Sequence, residues 1–114
     1  MNVFFDVQGT LLASGVPRPH TREVFLELAA LGHDVYLWSS AGASYATMAA
    51  KLVGVSDLVF GCYSKATPPP VTVDFVVDDH PALFEHYGGY AITPFDGNPN
   101  DEELWKVVEK LRCF

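Results

Sequence analysis

Apolar positions along this chain come in two textures. Val3-Phe4-Phe5, Val35-Tyr36-Leu37-Trp38, Leu58-Val59-Phe60, the stretch from Val71 to Val77 and Tyr90-Ala91-Ile92 are runs too short for helices, each stopped by a polar residue or a glycine. They read as buried strands. Between them the apolar residues are spaced for helices. Val24, Phe25, Leu28 and Leu31 make one stripe over residues 20–31, with Pro19 near its start and Gly32 as its stop. A second helix is expected from Ala43 to Leu52, closed by Gly54, and a short third from Pro81 through His86. Asn98-Pro99-Asn100 predicts the cap of a last helix, with Asp101, Glu102 and Glu103 in its first turn and Leu104, Val107, Val108 and Leu111 as its buried stripe.

Strands alternating with helices predict an α/β fold. The expectation is a three-layer, Rossmann-like, doubly wound parallel sheet of about five strands in the order 3-2-1-4-5, with the first strand central. The chain reads as a single domain over residues 1–114 with no inserted cap. Residues 13–18 read as a loop. Only about a dozen residues join the third strand to the fourth, so the usual crossover helix is expected to be reduced or absent, and Pro68-Pro69-Pro70 stiffens that link.

Polar groups collect where the strands stop, at the carboxyl edge where such sheets place their sites. Asp6 follows the first strand, Ser39 and Ser40 the second, Lys65 the third, and Asp78-Asp79 the fourth; Gly9 permits a sharp turn after Asp6. Carboxylates converging on one point repel, so they call for a cation, and hard oxygen ligands suit Mg²⁺. A hydroxyl and an ammonium beside them suit phosphate oxygens. Asp6 is then placed to attack phosphorus.

Charge and cysteine content narrow the picture further. The net charge of −7 argues against nucleic acid or an anionic membrane as the main partner. Cys62 and Cys113 lack metal-type spacing, and without a signal peptide they predict a reduced, cytoplasmic protein. No apolar run approaches the ~18 residues that would span a bilayer.

Taken in order, these motifs resemble those of the haloacid dehalogenase-like hydrolases. Asp6-Val7-Gln8-Gly9-Thr10-Leu11 resembles the family's first motif, DxDGT, altered at its second acid. Leu37-Trp38-Ser39-Ser40-Ala41 resembles the second, Lys65 matches the motif-three lysine, and Val76-Val77-Asp78-Asp79 the acidic fourth. The resemblance is closest to capless members. It implies Asp6 as nucleophile and metal ligand, the Gln8 carbonyl as a second ligand to Mg²⁺, Asp79 as a direct ligand, and Asp78 as a direct or water-bridged one. Ser39, with Ser40 beside it, and Lys65 would hold the phosphoryl group. An open crevice without a cap implies a bulky or macromolecular phosphorylated substrate, or closure by another subunit.

Gln8 departs from the family pattern. Phosphatases of this kind carry Asp there, as the acid that protonates the leaving group and the base that activates water. An amide donates a hydrogen bond but exchanges no proton at neutral pH. Losing such help costs on the order of 10²–10⁴ in rate. The sequence therefore predicts a weak phosphatase, with a catalytically inactive module binding a phosphorylated ligand or a protein as the alternative. A receiver domain uses the same residue types but places its acid pair after the first strand, unlike this chain. His20 and His80 border the expected crevice, where either could stand in for the missing acid; the simpler reading of both is an exposed or capping histidine.

Overall fold

The computed structural model describes residues 1–80, 82 and 84–112; the expected start of the third helix at Pro81, and Cys113, lie outside them. In chain order the elements are β1 (Asn2–Asp6), β2 (Leu12–Ala13), β3 (Val16–Pro17), α1 (Thr21–Ala30), β4 (Asp34–Ser39), α2 (Ala43–Leu52), β5 (Val59–Ser64), β6 (Phe75–Asp78), α3 (Phe84–Tyr87), β7 (Gly89–Ala91) and α4 (Trp105–Leu111). Five strands form one parallel sheet in the order β5-β4-β1-β6-β7, so β1 is central and hydrogen-bonded on both sides. The fold is α/β and Rossmann-like in its general plan. Among the described residues no helix is long and apolar enough to cross a membrane.

The two faces of the sheet are covered differently. Side chains alternate along a strand, and Val3 and Phe5 join the main core with Leu37, Val77 and the buried stripes of all three longer helices: Val24, Phe25 and Leu28 of α1, Ala46, Ala49 and Ala50 of α2, Val107, Val108 and Leu111 of α4. Phe4, Tyr36, Trp38 and Val76 form a second cluster on the opposite face. There Phe4 stacks on Tyr36 at 4.9 Å and meets Trp38 at the same distance. Loop residues Val71 and Val73 pack against this cluster, and Tyr87 of α3 meets Trp38 edge-on. The three prolines leave no room for a helix in the β5–β6 link, and large aromatic rings cover the sheet in its place.

Several boundaries differ from expectation. Residues 13–18 are not plain loop: β2 and β3 pair as a small antiparallel hairpin. Ser14 and Gly15 both take positive φ (50° and 77°), as the two central residues of a type I′ turn require. β5 runs through Gly61 instead of stopping there, because the register against β4 slips between Val35↔Val59 and Tyr36↔Gly61. This bulge leaves Phe60 exposed, and Gly61 makes room for the Tyr63 ring, whose hydroxyl lies 2.7 Å from where a Cβ would stand. β6 is confined to Phe75–Asp78; residues 71–74 run as loop, with Val71 and Val73 packed on the aromatic face and the Asp74 N–H donating to the Asn2 carbonyl at 3.1 Å. α4 begins at Trp105, so the three acids expected in its first turn precede it. α2 covers the expected residues.

Candidate functional site

β1, β4 and β6 are parallel and in register, with Phe5 opposite both Leu37 and Val77. The residues ending these strands therefore meet at one edge. Asp6 and Asp78 are buried, Asp78 completely. Lys65 follows β5; its backbone N–H donates to the Ser39 carbonyl at 3.0 Å, which extends the β4–β5 pairing by one residue and aims the side chain inward. Its Nζ donates to Asp6 Oδ1 at 2.7 Å and to Asp78 Oδ2 at 2.9 Å. Thr10 Oγ1 donates to the other Asp6 oxygen at 3.2 Å.

Asp79 approaches from the far side of the β1 turn. Gly9 has φ +85°, and a Cβ on it would lie 2.5 Å from Asp79 Oδ2. The positive φ favours glycine here, and a larger residue would also have to displace the Asp79 carboxylate. His80 donates its backbone N–H to Asp78 Oδ1 at 2.9 Å, while its ring Nδ1 lies 3.0 Å from Asp79 Oδ1. Ligand atoms of Asp78, Asp79 and His80 come within 4.8 Å of one another, a group able to hold a metal ion.

The charges respond to this crowding. Burial pushes the Asp6 carboxyl up from 3.8 to about 6; hydrogen bonding and attraction from Lys65 offset part of that, and the nearby acids Asp78 and Asp79 reinforce it. Burial opposes ionisation of Asp79 too, yet its contacts with His80 and Asp6 outweigh it and hold this carboxyl low. Burial also works against the charge on Lys65, but its hydrogen bonds to Asp6 and Asp78 prevail and keep it protonated. The Asp79 carboxylate raises the His80 pKa.

Above these groups lies an open crevice of about 510 Å³, lined by Asp6, Gln8, Ser39, Ser40, Lys65 and His80. Ser39 is buried, and its Oγ accepts the Ala41 N–H at 3.0 Å, so its hydroxyl shapes the turn into α2 while its proton remains available to donate. Ser40 sits exposed on the rim. Gln8 is exposed too, and its side chain reaches to α2, where Oε1 accepts the Tyr45 hydroxyl at 2.9 Å. The structure brings Asp6, Lys65 and Asp78 into direct contact, sets Asp79 against the same turn, and leaves the Gln8 amide held from outside. His20 is absent from the crevice lining; its ring faces Trp105 at 5.9 Å and pairs with Glu23.

No protein-family model matches this chain. No curated protein matches it either.

Two contributors were not anticipated. Tyr45 looks like any aromatic in a helix and is noticed only once its hydroxyl is seen on Gln8. Arg18, expected in a loop, is almost fully buried. Its guanidinium grips Asp101 through Nε at 2.9 Å and Nη2 at 3.0 Å, and donates to the carbonyls of Thr10 (3.1 Å) and Thr93 (2.8 Å). It lies 5.4 Å from the centre of the Phe95 ring. Arg18 thereby ties the Asp6 turn to the segment leading into α4. The one hint in the sequence is a basic residue set between Pro17 and Pro19 in an acidic chain.

Proposed function

We propose that this protein is a magnesium-dependent phosphoryl-transfer hydrolase of the haloacid dehalogenase kind, with Asp6 as nucleophile and with activity restrained by Gln8. The observation that carries this reading is Lys65 bridging Asp6 and Asp78 at 2.7 and 2.9 Å, with Asp6 and Lys65 both lining an open crevice and a third carboxylate, Asp79, against the same turn. A lysine buried merely to neutralise charge needs one partner, whereas this one is shared and faces a cavity.

The donor set suits the cation. It is made of carboxylate and carbonyl oxygens, and the nearby acids that help raise the Asp6 carboxyl set up a repulsion that a divalent ion relieves. Asp6, Asp79 and the Gln8 carbonyl would hold it. Both Asp78 oxygens are already engaged, by Lys65 and the His80 N–H, so Asp78 serves better through water. When bound, Mg²⁺ neutralises phosphate oxygens as charge shifts among them.

The protein's own groups divide the remaining work. An Asp6 oxygen attacks phosphorus, the ester P–O bond breaks, and the leaving oxygen departs with the electron pair. Lys65 Nζ and the Ser39 hydroxyl stabilise the transferring oxygens. A water oxygen then bonds to phosphorus as the P–O bond to Asp6 breaks, restoring the carboxylate and releasing inorganic phosphate. Bulk water gives the leaving oxygen its proton and takes the one that the attacking water loses. In neither step does Gln8 give or take a proton. Esters with good leaving groups should turn over, and alkyl phosphates should barely do so. The open crevice leaves room for a bulky phosphorylated substrate.

The test compares the wild type with Gln8→Asp on an activated aryl phosphate with Mg²⁺. Restoring the acid should raise kcat by about 10²-fold or more. Brisk turnover of an alkyl phosphate by the wild type would refute the role given to Gln8. The hydroxyl of Tyr45 on Gln8 favours a second reading, a phospho-ligand binding module in which the amide is fixed for recognition. That reading wins if Mg²⁺ and beryllofluoride bind while neither protein turns over.

A further inference from the structure

A second cavity, of about 210 Å³, opens beside the first on the aromatic face of the sheet, with Trp38, Lys65, Pro68, Pro69 and Tyr87 in its walls. Lys65 is the wall the two cavities share. Its Nζ lies 2.7 Å from Asp6 Oδ1 on one side and 5.9 Å from the centre of the Trp38 ring on the other. We propose that this second cavity is the subsite for the organic part of the substrate, and that it takes a single aromatic ring borne by the phosphate. The proposal rests on the phosphoryl-transfer reading of the crevice.

Size, chemistry and continuity each support it. An enclosed apolar protein cavity of ~150 Å³ holds benzene, so a half-open cavity of about 210 Å³ has room for one ring. The walls are mainly apolar: two proline rings, Ala66, the Trp38 indole, and the Tyr87 phenol set edge-on to that indole at 6.1 Å, with Thr67 and Lys65 as their polar members. Flat rings complement such walls, whereas a sugar would have to strip water from hydroxyls with few partners to replace it. The Lys65 ammonium at the shared wall attracts a π face as well as a phosphate. Among the described residues Trp38 Nε1 has no hydrogen-bond partner, and the indole serves this position through its size and flat face.

Aryl esters are also better leaving groups, so turnover alone does not isolate the subsite. Binding of non-hydrolysable ligands does. In the presence of Mg²⁺, benzylphosphonate should bind the wild-type protein about tenfold tighter than methylphosphonate. Tyr87→Ala removes one wall, and Ala66→Phe fills the cavity from an exposed lining position; both lie at or near the surface. Each variant should reduce the preference to roughly threefold or less while inorganic phosphate binds as before. Equal binding of the two phosphonates to the wild type, with inorganic phosphate still bound, overturns the subsite and leaves the phosphoryl reading intact. A preference that survives both variants overturns it too, because the ring then sits elsewhere. If inorganic phosphate itself does not bind, the phosphoryl reading fails and the subsite fails with it.

Discussion

Arg18 and Lys65 are both cations withdrawn from water near the carboxyl edge of the sheet, and they are used in opposite ways. The Arg18 side chain is wholly buried against one carboxylate and two carbonyls, all of which it satisfies. Lys65 is shared between two carboxylates, has a third nearby, and keeps one flank on a cavity. The first arrangement is closed and has nothing left to bind. The second is left with excess negative charge. Charge balance, more than burial, separates a fastener from a site in this molecule.

The sharpest way to break that contrast is to remove each cation. Arg18→Met should cost about 3–5 kcal/mol in unfolding free energy by denaturant titration, since it leaves Asp101 without its partner and Thr10 and Thr93 carbonyls without donors. Added Mg²⁺ should recover none of it. Lys65→Met should cost less, about 2 kcal/mol at neutral pH, because its surroundings open on solvent. Mg²⁺ or acid should recover most of that loss. Equal responses of the two variants to Mg²⁺ would erase the distinction.

A smaller effect concerns Asp6 in metal-free buffer. Its carboxyl ionises at about 6 in the folded protein against an ordinary 3.8, so the folded state binds the proton more tightly than the unfolded state. This group therefore contributes stability that is fully present below about pH 4, falls as pH rises through the window to about 6, and is gone above it. Relative to Asp6→Asn, the wild type should lose on the order of 2–3 kcal/mol between pH 4 and pH 7. Thermal melts of the pair across that range measure it, and parallel curves would refute the burial penalty. The smallest effect is expected at Tyr45. Its hydrogen bond to Gln8 is exposed, so Tyr45→Phe should change stability by under about 0.5 kcal/mol. In the Gln8→Asp background the same change should leave the restored activity within a few fold, a kcat measurement that fails if Tyr45 positions the acid.

How far the sequence could be read follows the same divide. β1, β4 and β6 were legible because strands buried on both faces carry unbroken apolar runs. Asp6, Ser39, Lys65 and Asp78 stand out because they interrupt those runs or follow a strand. Arg18 was not legible, since its partner Asp101 lies 83 residues away and nothing local marks the pair. The same contact explains the misplaced start of α4. Asp101 resembles a dipole-complementing acid, but the structure commits it to Arg18 and to the Glu103 N–H ahead of the helix. Gly61 looked like a strand stop and proved to be part of a bulge, a choice made by the partner strand and invisible in the run itself.

That bulge has a bearing on how copies of this chain behave in concentrated solution. A parallel sheet exposes two edges, here β5 and β7. An edge with free backbone groups invites a strand from another molecule. β7 has only three residues to offer. β5 has six, but the slip at Phe60 interrupts its regular spacing and twists the strand locally. The irregularity that obscured the strand in the sequence thus discourages edge-to-edge aggregation along its longest open edge.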